Sequence, residues 1–230
     1  QKKQLGNQFD AYLAQQGLTE ETAKKQIRSN MLLEYAVNQA AKKDIKESDY
    51  KTAFESYTPE VTAQIIKLDS EDKAKEVLEA AKAEGADFAQ IAKDNSTDTA
   101  TKDKGGEVKF DSGTADIPSQ VKEAAFKLDE NGISDVITVS AGQNYSASYY
   151  IVKLNKKTEK GSDWKKYEKR LKEIIIEGRK QDTNYIRSII AKAMTNANIK
   201  VKDDAFKSTF NQYLQNIGVQ TSDSSSSSKK

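Results

Sequence analysis

Histidine and cysteine are both absent from the 230-residue chain. Without cysteine there is no disulfide framework, no thiol nucleophile and no thiolate metal site. Without histidine there is no imidazole acid–base chemistry, no Ser-His-Asp triad and almost no route to a zinc site. No apolar run approaches the roughly 20 residues that cross a bilayer. A basic excess is missing too. Lys and Arg number 37 against 35 Asp and Glu, a net charge of +2, which argues against a nucleic-acid binder. The lysines alternate with acids along helical stretches, the pattern of a solvated face. No secretory leader is legible and the first residue is Gln1 rather than Met, so the chain reads as a processed or truncated product.

What is present is enough for more than one small core. Hydrophobic residues make up 36% of the chain, with 10 Tyr, 7 Phe and 1 Trp, so the high charge does not imply disorder. The length predicts one or two domains.

The chain begins in helical texture. Thr19 caps a predicted helix with Glu20 and Glu21 in its first turn, and Ala23, Ile27, Met31 and Tyr35 follow at four-residue spacing on one face. A second helix starts at Ser48 or Asp49, carries Tyr50, Ala53, Phe54 and Tyr57, and ends before Pro59. The texture then changes. Val61–Leu68 reads as a strand. Ser70 caps a helix bearing Ala74, Val77, Leu78 and Ala81, with Gly85 as its stop. A short helix carries Phe88, Ile91 and Ala92, and residues 95–106 form a polar loop. Glu107–Phe110 is a short strand, Pro118 opens a helix with Val121, Ala124, Ala125 and Leu128, and Ile133–Val139 and Ser148–Leu154 are the last strands. Beyond Lys156 helices return. One, capped at Ser162 or Asp163, carries Trp164, Tyr167, Leu171, Ile174 and Ile175, with an interruption expected at Gly178 and the polar stretch after it. Tyr185, Ile186, Ile189, Ile190 and Ala193 continue the pattern, and a last helix from about Asp203 carries Phe206, Phe210, Leu214 and Ile217. Residues 221–230 are Ser-rich and expected to be disordered.

The flanking helices each present one apolar stripe and need a partner. The simplest solution packs them on one another. The expected fold class is therefore α+β, a small antiparallel sheet with helices inserted into a discontinuous all-α domain. Its predicted limits are 1–60 and 157–220 for the helical parts and 61–156 for the insert.

The insert resembles a parvulin, the PpiC type of peptidyl-prolyl isomerase. The pieces that carry the resemblance are Val61-Thr-Ala-Gln-Ile-Ile66, Gly85-Ala-Asp-Phe-Ala-Gln-Ile-Ala92, Asn95-Ser-Thr-Asp98, Gly105-Gly-Glu-Val-Lys-Phe110, Lys122-Glu-Ala-Ala-Phe-Lys-Leu128, Gly132-Ile-Ser-Asp-Val136 and Tyr149-Tyr-Ile-Val-Lys-Leu154. Each is weak alone; in this order and spacing they are a strong match. With the flanking helices and the Ser-rich tail, the whole resembles the PrsA-type foldases of Gram-positive bacteria. That resemblance implies an extracytoplasmic lipoprotein that helps secreted proteins fold. Its partners would be unfolded clients, with no nucleic acid, and with the membrane only through a lipid anchor lying outside this chain. A homodimer is left open. No cofactor or metal is implied.

The family's reaction rotates an X-Pro amide, so it breaks no bond. The enzyme has to favour the twisted amide over the planar one. A thousandfold acceleration needs only about 4 kcal/mol of differential stabilisation. The resemblance carries the family's two histidines onto Gln64 and Tyr150, and its Asp/Cys position onto Asp98. It carries substrate-pocket positions onto Val108, Ile117 and Val121, with Phe126 beside them. Both histidines are thus replaced, and a pocket Phe becomes Val121. Gln64, Tyr150 and Asp98 retain the hydrogen-bonding capacity to join one another. The same residues also have plainer readings. Asp98 suits an Asx-turn, Gln64 and Tyr150 suit satisfied core polar groups, and Gly105-Gly106 suits a turn rather than a phosphate cradle. The sequons Asn95–Thr97 and Asn144–Ser146 are short patterns common by chance. The expected function is a foldase or chaperone with a degenerate parvulin domain of weak or absent isomerase activity. An active isomerase with a histidine-independent site is the alternative, and a surface adhesion protein is a third reading.

Overall fold

The computed structural model describes residues 3, 6–140, 147–197 and 204–216. The sequon at Asn144, the end of the last helical stripe at Ile217 and the Ser-rich tail lie outside these residues. In chain order the elements are helices α1 (Phe9–Gln15), α2 (Glu20–Lys43) and α3 (Glu47–Ser56), strand β1 (Val61–Leu68), helices α4 (Glu71–Lys82) and α5 (Phe88–Asn95), and strand β2 (Glu107–Phe110). Helix α6 (Ser119–Lys127), strands β3 (Ile137–Val139) and β4 (Ser148–Lys157), and helices α7 (Glu168–Gln181), α8 (Thr183–Asn196) and α9 (Asp204–Asn216) complete the chain. They group into a helical unit, Gln1–Tyr50 with Glu168–Lys230, and a sheet unit, Lys51–Tyr167.

In the helical unit, α2 begins at a reciprocal cap. The Thr22 amide donates to Thr19 Oγ1 at 3.1 Å, and the Thr19 amide donates to Thr22 Oγ1 at 2.8 Å. Glu20 and Glu21 open the helix and Lys42 and Lys43 close it, both favourable to its dipole. The buried stripe of α2 is not the expected one. Val37 and Ala41 are buried and Leu33 half-buried, where α7 and α8 pack. Ile27, Met31 and Tyr35 are 59%, 65% and 64% exposed. The helix carries two apolar stripes of equal spacing, and α7 and α8 cover the second. Helix α7 contributes Leu171, which is fully buried. The interruption falls in the polar stretch after Gly178, at Asp182, whose Oδ1 accepts from the Asn184 amide at 2.8 Å and caps α8. Arg179 ties three helix ends. Its guanidinium donates to Ala41 O at 3.0 Å, Asp44 O at 3.3 Å and Asp49 Oδ2 at 2.7 Å. It thereby answers orphan carbonyls at the end of α2.

The sheet unit is built on four antiparallel strands in the order β2-β1-β4-β3. Strand alternation sorts its side chains onto two faces. On one face Val61, Ala63, Ile65, Val152 and Leu154 pack with Phe110 and with Val121 and Ala125 of α6. On the other, Ile66, Leu68 and Ile151 pack with Ala74, Val77 and Ala81 of α4 and Phe88 and Ala92 of α5. The expected strand Ile133–Val139 is shorter, Ile137–Val139, with an isolated bridge from Ile133 to Lys153. Trp164 and Tyr167 form a 3-10 turn rather than the start of a long helix. Tyr167 sets its ring 5.9 Å from Phe54 and 5.2 Å from Tyr57. At Gly106 (φ +78°) a Cβ would stand 2.5 Å from the Ile65 carbonyl oxygen, and the Ile65 amide donates to Gly106 O at 2.9 Å. The double glycine is there because two backbones touch.

Candidate functional site

The segment after α5 is stitched to β1. Ser96 is buried, and its Oγ accepts from the Lys67 amide at 3.1 Å and from the Asp98 amide at 3.2 Å. The Thr97 amide donates to Lys67 O at 2.8 Å. These bonds hold Asp98 at the edge of β1. Its carboxylate accepts from the Ala100 amide at 3.1 Å and from the Thr101 hydroxyl at 2.6 Å, which is Asx-turn geometry with a second, charge-assisted bond.

Tyr150 lies on β4 with Lys67 and Ile137 as its cross-strand partners. It is half-buried against the α6 face of the sheet. Burial pushes its phenol pKa up, and the carboxylates of Asp98 and Asp69 push it further the same way. The hydroxyl is therefore a neutral donor throughout the physiological range, and no nearby anion stabilises its ionised form.

Gln64 stands apart. Register pairs it with Lys153 and Glu107, so alternation puts it on the face of Ile66 and Leu68. Its Nε2 donates to Gly105 O at 3.0 Å. The structure thus brings Asp98 and Tyr150 within electrostatic reach, while Gln64 occupies the opposite face and serves the double-glycine turn. The expected mutual bonding of Gln64 with Tyr150 is replaced by this turn contact, because strand residues of unlike parity point to opposite sides.

The positions carried over for the pocket gather on the Tyr150 face. Val108, Ile117 and Phe126 are half-buried against the same core. Phe126 tilts against Phe110 with ring centroids 5.8 Å apart. Val121 is fully buried and acts as floor, without surface for a ligand to touch. Ile137 and Val139 of β3 also flank this face half-buried. The resemblance offered no position for them. Their alternation with Thr138 was the available signal. Among the described residues every buried side-chain polar atom has a partner. The arrangement is a half-exposed apolar surface with one phenol donor and one carboxylate at its edge. It suits a proline ring or another apolar side chain.

A family profile described as rotamase, PPIC-type PPIASE domain, matches residues 56–156. The chain is 63% identical over 217 residues to the foldase protein PrsA of Streptococcus sanguinis, covering 94% of this chain and 64% of that protein. It is 58% identical over 227 residues to the foldase protein PrsA of Streptococcus gordonii, covering 99% of this chain and 72% of that one. The crystal structure of the foldase protein PrsA of Streptococcus pneumoniae superposes with a TM-score of 0.81 at 54% identity, over 92% of this chain and 77% of the other. The chain thus spans between about two thirds and three quarters of the length of these relatives.

Proposed function

Because the chain belongs to the PrsA family of foldases, we propose that it acts outside the cytoplasm as a foldase for secreted proteins, with weak or absent prolyl isomerase activity. Its clients are unfolded or folding secreted polypeptides, and a lipid anchor outside this chain holds it at the outer face of the membrane. A homodimer belongs to the same proposal, as do domain limits of 1–60, 61–156 and 157–220.

The observation that supports a degenerate site is the carboxamide of Gln64 spent on Gly105 O at 3.0 Å. With Gln64 and Tyr150 on opposite faces, no hydrogen-bonded chain joins the positions that carry histidine in the family. Isomerisation needs about 4 kcal/mol of preference for the twisted amide per thousandfold of rate. Here a single phenol donor and a smaller apolar pocket remain to supply it. A protease-coupled assay on a prolyl test peptide, run beside suppression of aggregation of a proline-poor denatured client, tests the reading. The expected result is suppression with little isomerisation. Efficient isomerisation would overturn it.

The active-isomerase reading keeps one observation in its favour. Tyr150 is held neutral beside an apolar surface, and a neutral donor is what a twisted amide nitrogen would accept from.

A further inference from the structure

A tyrosine ahead of β1 reaches the loop that ends in Ile117. Tyr57 is buried, and its hydroxyl donates to Asp111 Oδ2 at 3.1 Å. Asp111 directly follows β2 and is buried as well. Its other oxygen, Oδ1, accepts from the Gly113 amide at 3.0 Å and from the Thr114 hydroxyl at 2.9 Å. The Asp111 amide donates in turn to Thr114 Oγ1 at 3.1 Å. The carboxylate therefore closes residues 111–114 into a turn and ties that turn to Tyr57.

A second pair of bonds joins the same two segments. The Thr58 amide donates to Ser112 Oγ at 2.9 Å, and the Ser112 amide donates to Thr58 O at 3.1 Å. Helix α6 holds the turn too, because Lys122 Nζ donates to Ser112 O at 3.0 Å and to Thr114 O. Pro118 O accepts from the amides of Val121 and Lys122, which fixes Pro118 to the start of α6. Ile117 lies between these two anchors, with only Ala115 and Asp116 separating it from Thr114. It packs half-buried against the same core as Tyr150 and Phe126.

An Asx turn is complete with Gly113 and Thr114. The second carboxylate oxygen serves instead the segment by which the chain enters the sheet unit. The Tyr57 ring lies 5.2 Å from that of Tyr167, in the segment by which the chain leaves that unit. One side chain thus joins both connecting segments to the loop that carries Ile117.

We propose that Tyr57 and Asp111 are positioning residues for the apolar Tyr150 face, their bond holding Ile117 ready for a proline ring. Both are buried, so neither meets the ligand. The proposal rests on the reading of that face as a receiver of prolyl segments. A loop ordered in advance spares the ligand the entropy of ordering it, so loosening the bond weakens binding without unfolding the sheet.

The test is binding of a tetrapeptide with an internal Ala-Pro bond to the isotope-labelled 230-residue chain. It is followed by the amide shifts of Val108, Ile117, Phe126 and Tyr150. Tyr57→Phe keeps the ring and removes only the hydroxyl. It should weaken binding about fivefold to tenfold and broaden the Ile117 amide of the free protein. Fluorescence-detected unfolding of the sheet unit should stay cooperative. Asp111→Asn keeps an oxygen for Gly113 and Thr114 and a polar partner for Tyr57, so its affinity should stay near that of wild type. Tyr167→Phe is the structural control. It removes from the same aromatic cluster a hydroxyl that donates to Glu159 O at 3.2 Å, and it should leave affinity unchanged. Equal affinity of wild type and Tyr57→Phe overturns the proposal and leaves the reading of the face standing. A loss matched by Tyr167→Phe overturns it too, since any loosening of the cluster would then suffice. A wild type whose amides do not respond to the peptide overturns the reading of the face and the positioning role with it.

Discussion

Replacing Leu171 by alanine should unfold the helical unit at much lower denaturant while leaving the sheet unit alone. Leu171 has no exposed surface, and among the described residues of the helical unit the other large buried side chains are Leu13, Val37 and Tyr50, at 7%, 4% and 9% exposure. The change removes apolar volume worth about 2.5 kcal/mol by transfer, and the cavity it leaves raises the cost to about 3 kcal/mol or more. Against the usual marginal stability of a domain, that is a large share. With a urea m-value of about 2 kcal/mol/M the midpoint should fall by about 1.5 M. Two probes separate the units. Far-UV circular dichroism reads mainly the helices, while the one tryptophan, Trp164, sits within the sheet unit. The circular-dichroism transition should move and the fluorescence transition should stay. Ile27→Ala is the control, since a side chain 59% exposed should cost less than about 0.5 kcal/mol. If Ile27→Ala proved as costly as Leu171→Ala, the assignment of the buried stripe on α2 would be wrong.

Gly106→Ala should destabilise the sheet unit by about 2 kcal/mol or more, because its Cβ would meet the Ile65 backbone oxygen at 2.5 Å in a left-handed conformation; a fluorescence-detected melt like that of wild type would refute the close approach. Asp98→Ala combined with Tyr150→Ala should leave aggregation suppression intact; suppression falling to background with the helices still folded would return the lead to the enzyme reading. The raised phenol pKa of Tyr150 also has a pH signature. Its contribution is fully present below the unfolded tyrosine value and is lost as pH rises through the higher folded one. Tyr150→Phe should therefore lessen the alkaline fall in stability, and an unchanged alkaline limb would count against the burial of that hydroxyl.

Much of this protein was legible in local chemistry. Thr19 and Ser70 accept bonds from the amides of Thr22 and Lys73, as helix caps do, and a cap acts within one turn of its own residue. The alternation in Val61–Leu68 and the stop near Gly85 are local for the same reason. The absence of histidine removed the one side chain whose ordinary pKa lies near neutrality, whatever the fold. Tertiary structure decided the rest. Two equivalent stripes run along α2, and only the docking of α7 and α8, from more than 120 residues further on, selects Val37 and Ala41 over Ile27 and Met31. The separation of Gln64 from Tyr150 was likewise invisible beforehand. It depends on the register that pairs Gln64 with Lys153 and Lys67 with Tyr150. A one-residue slip would exchange the faces, and register belongs to the pairing of two distant strands, which neither strand specifies by itself.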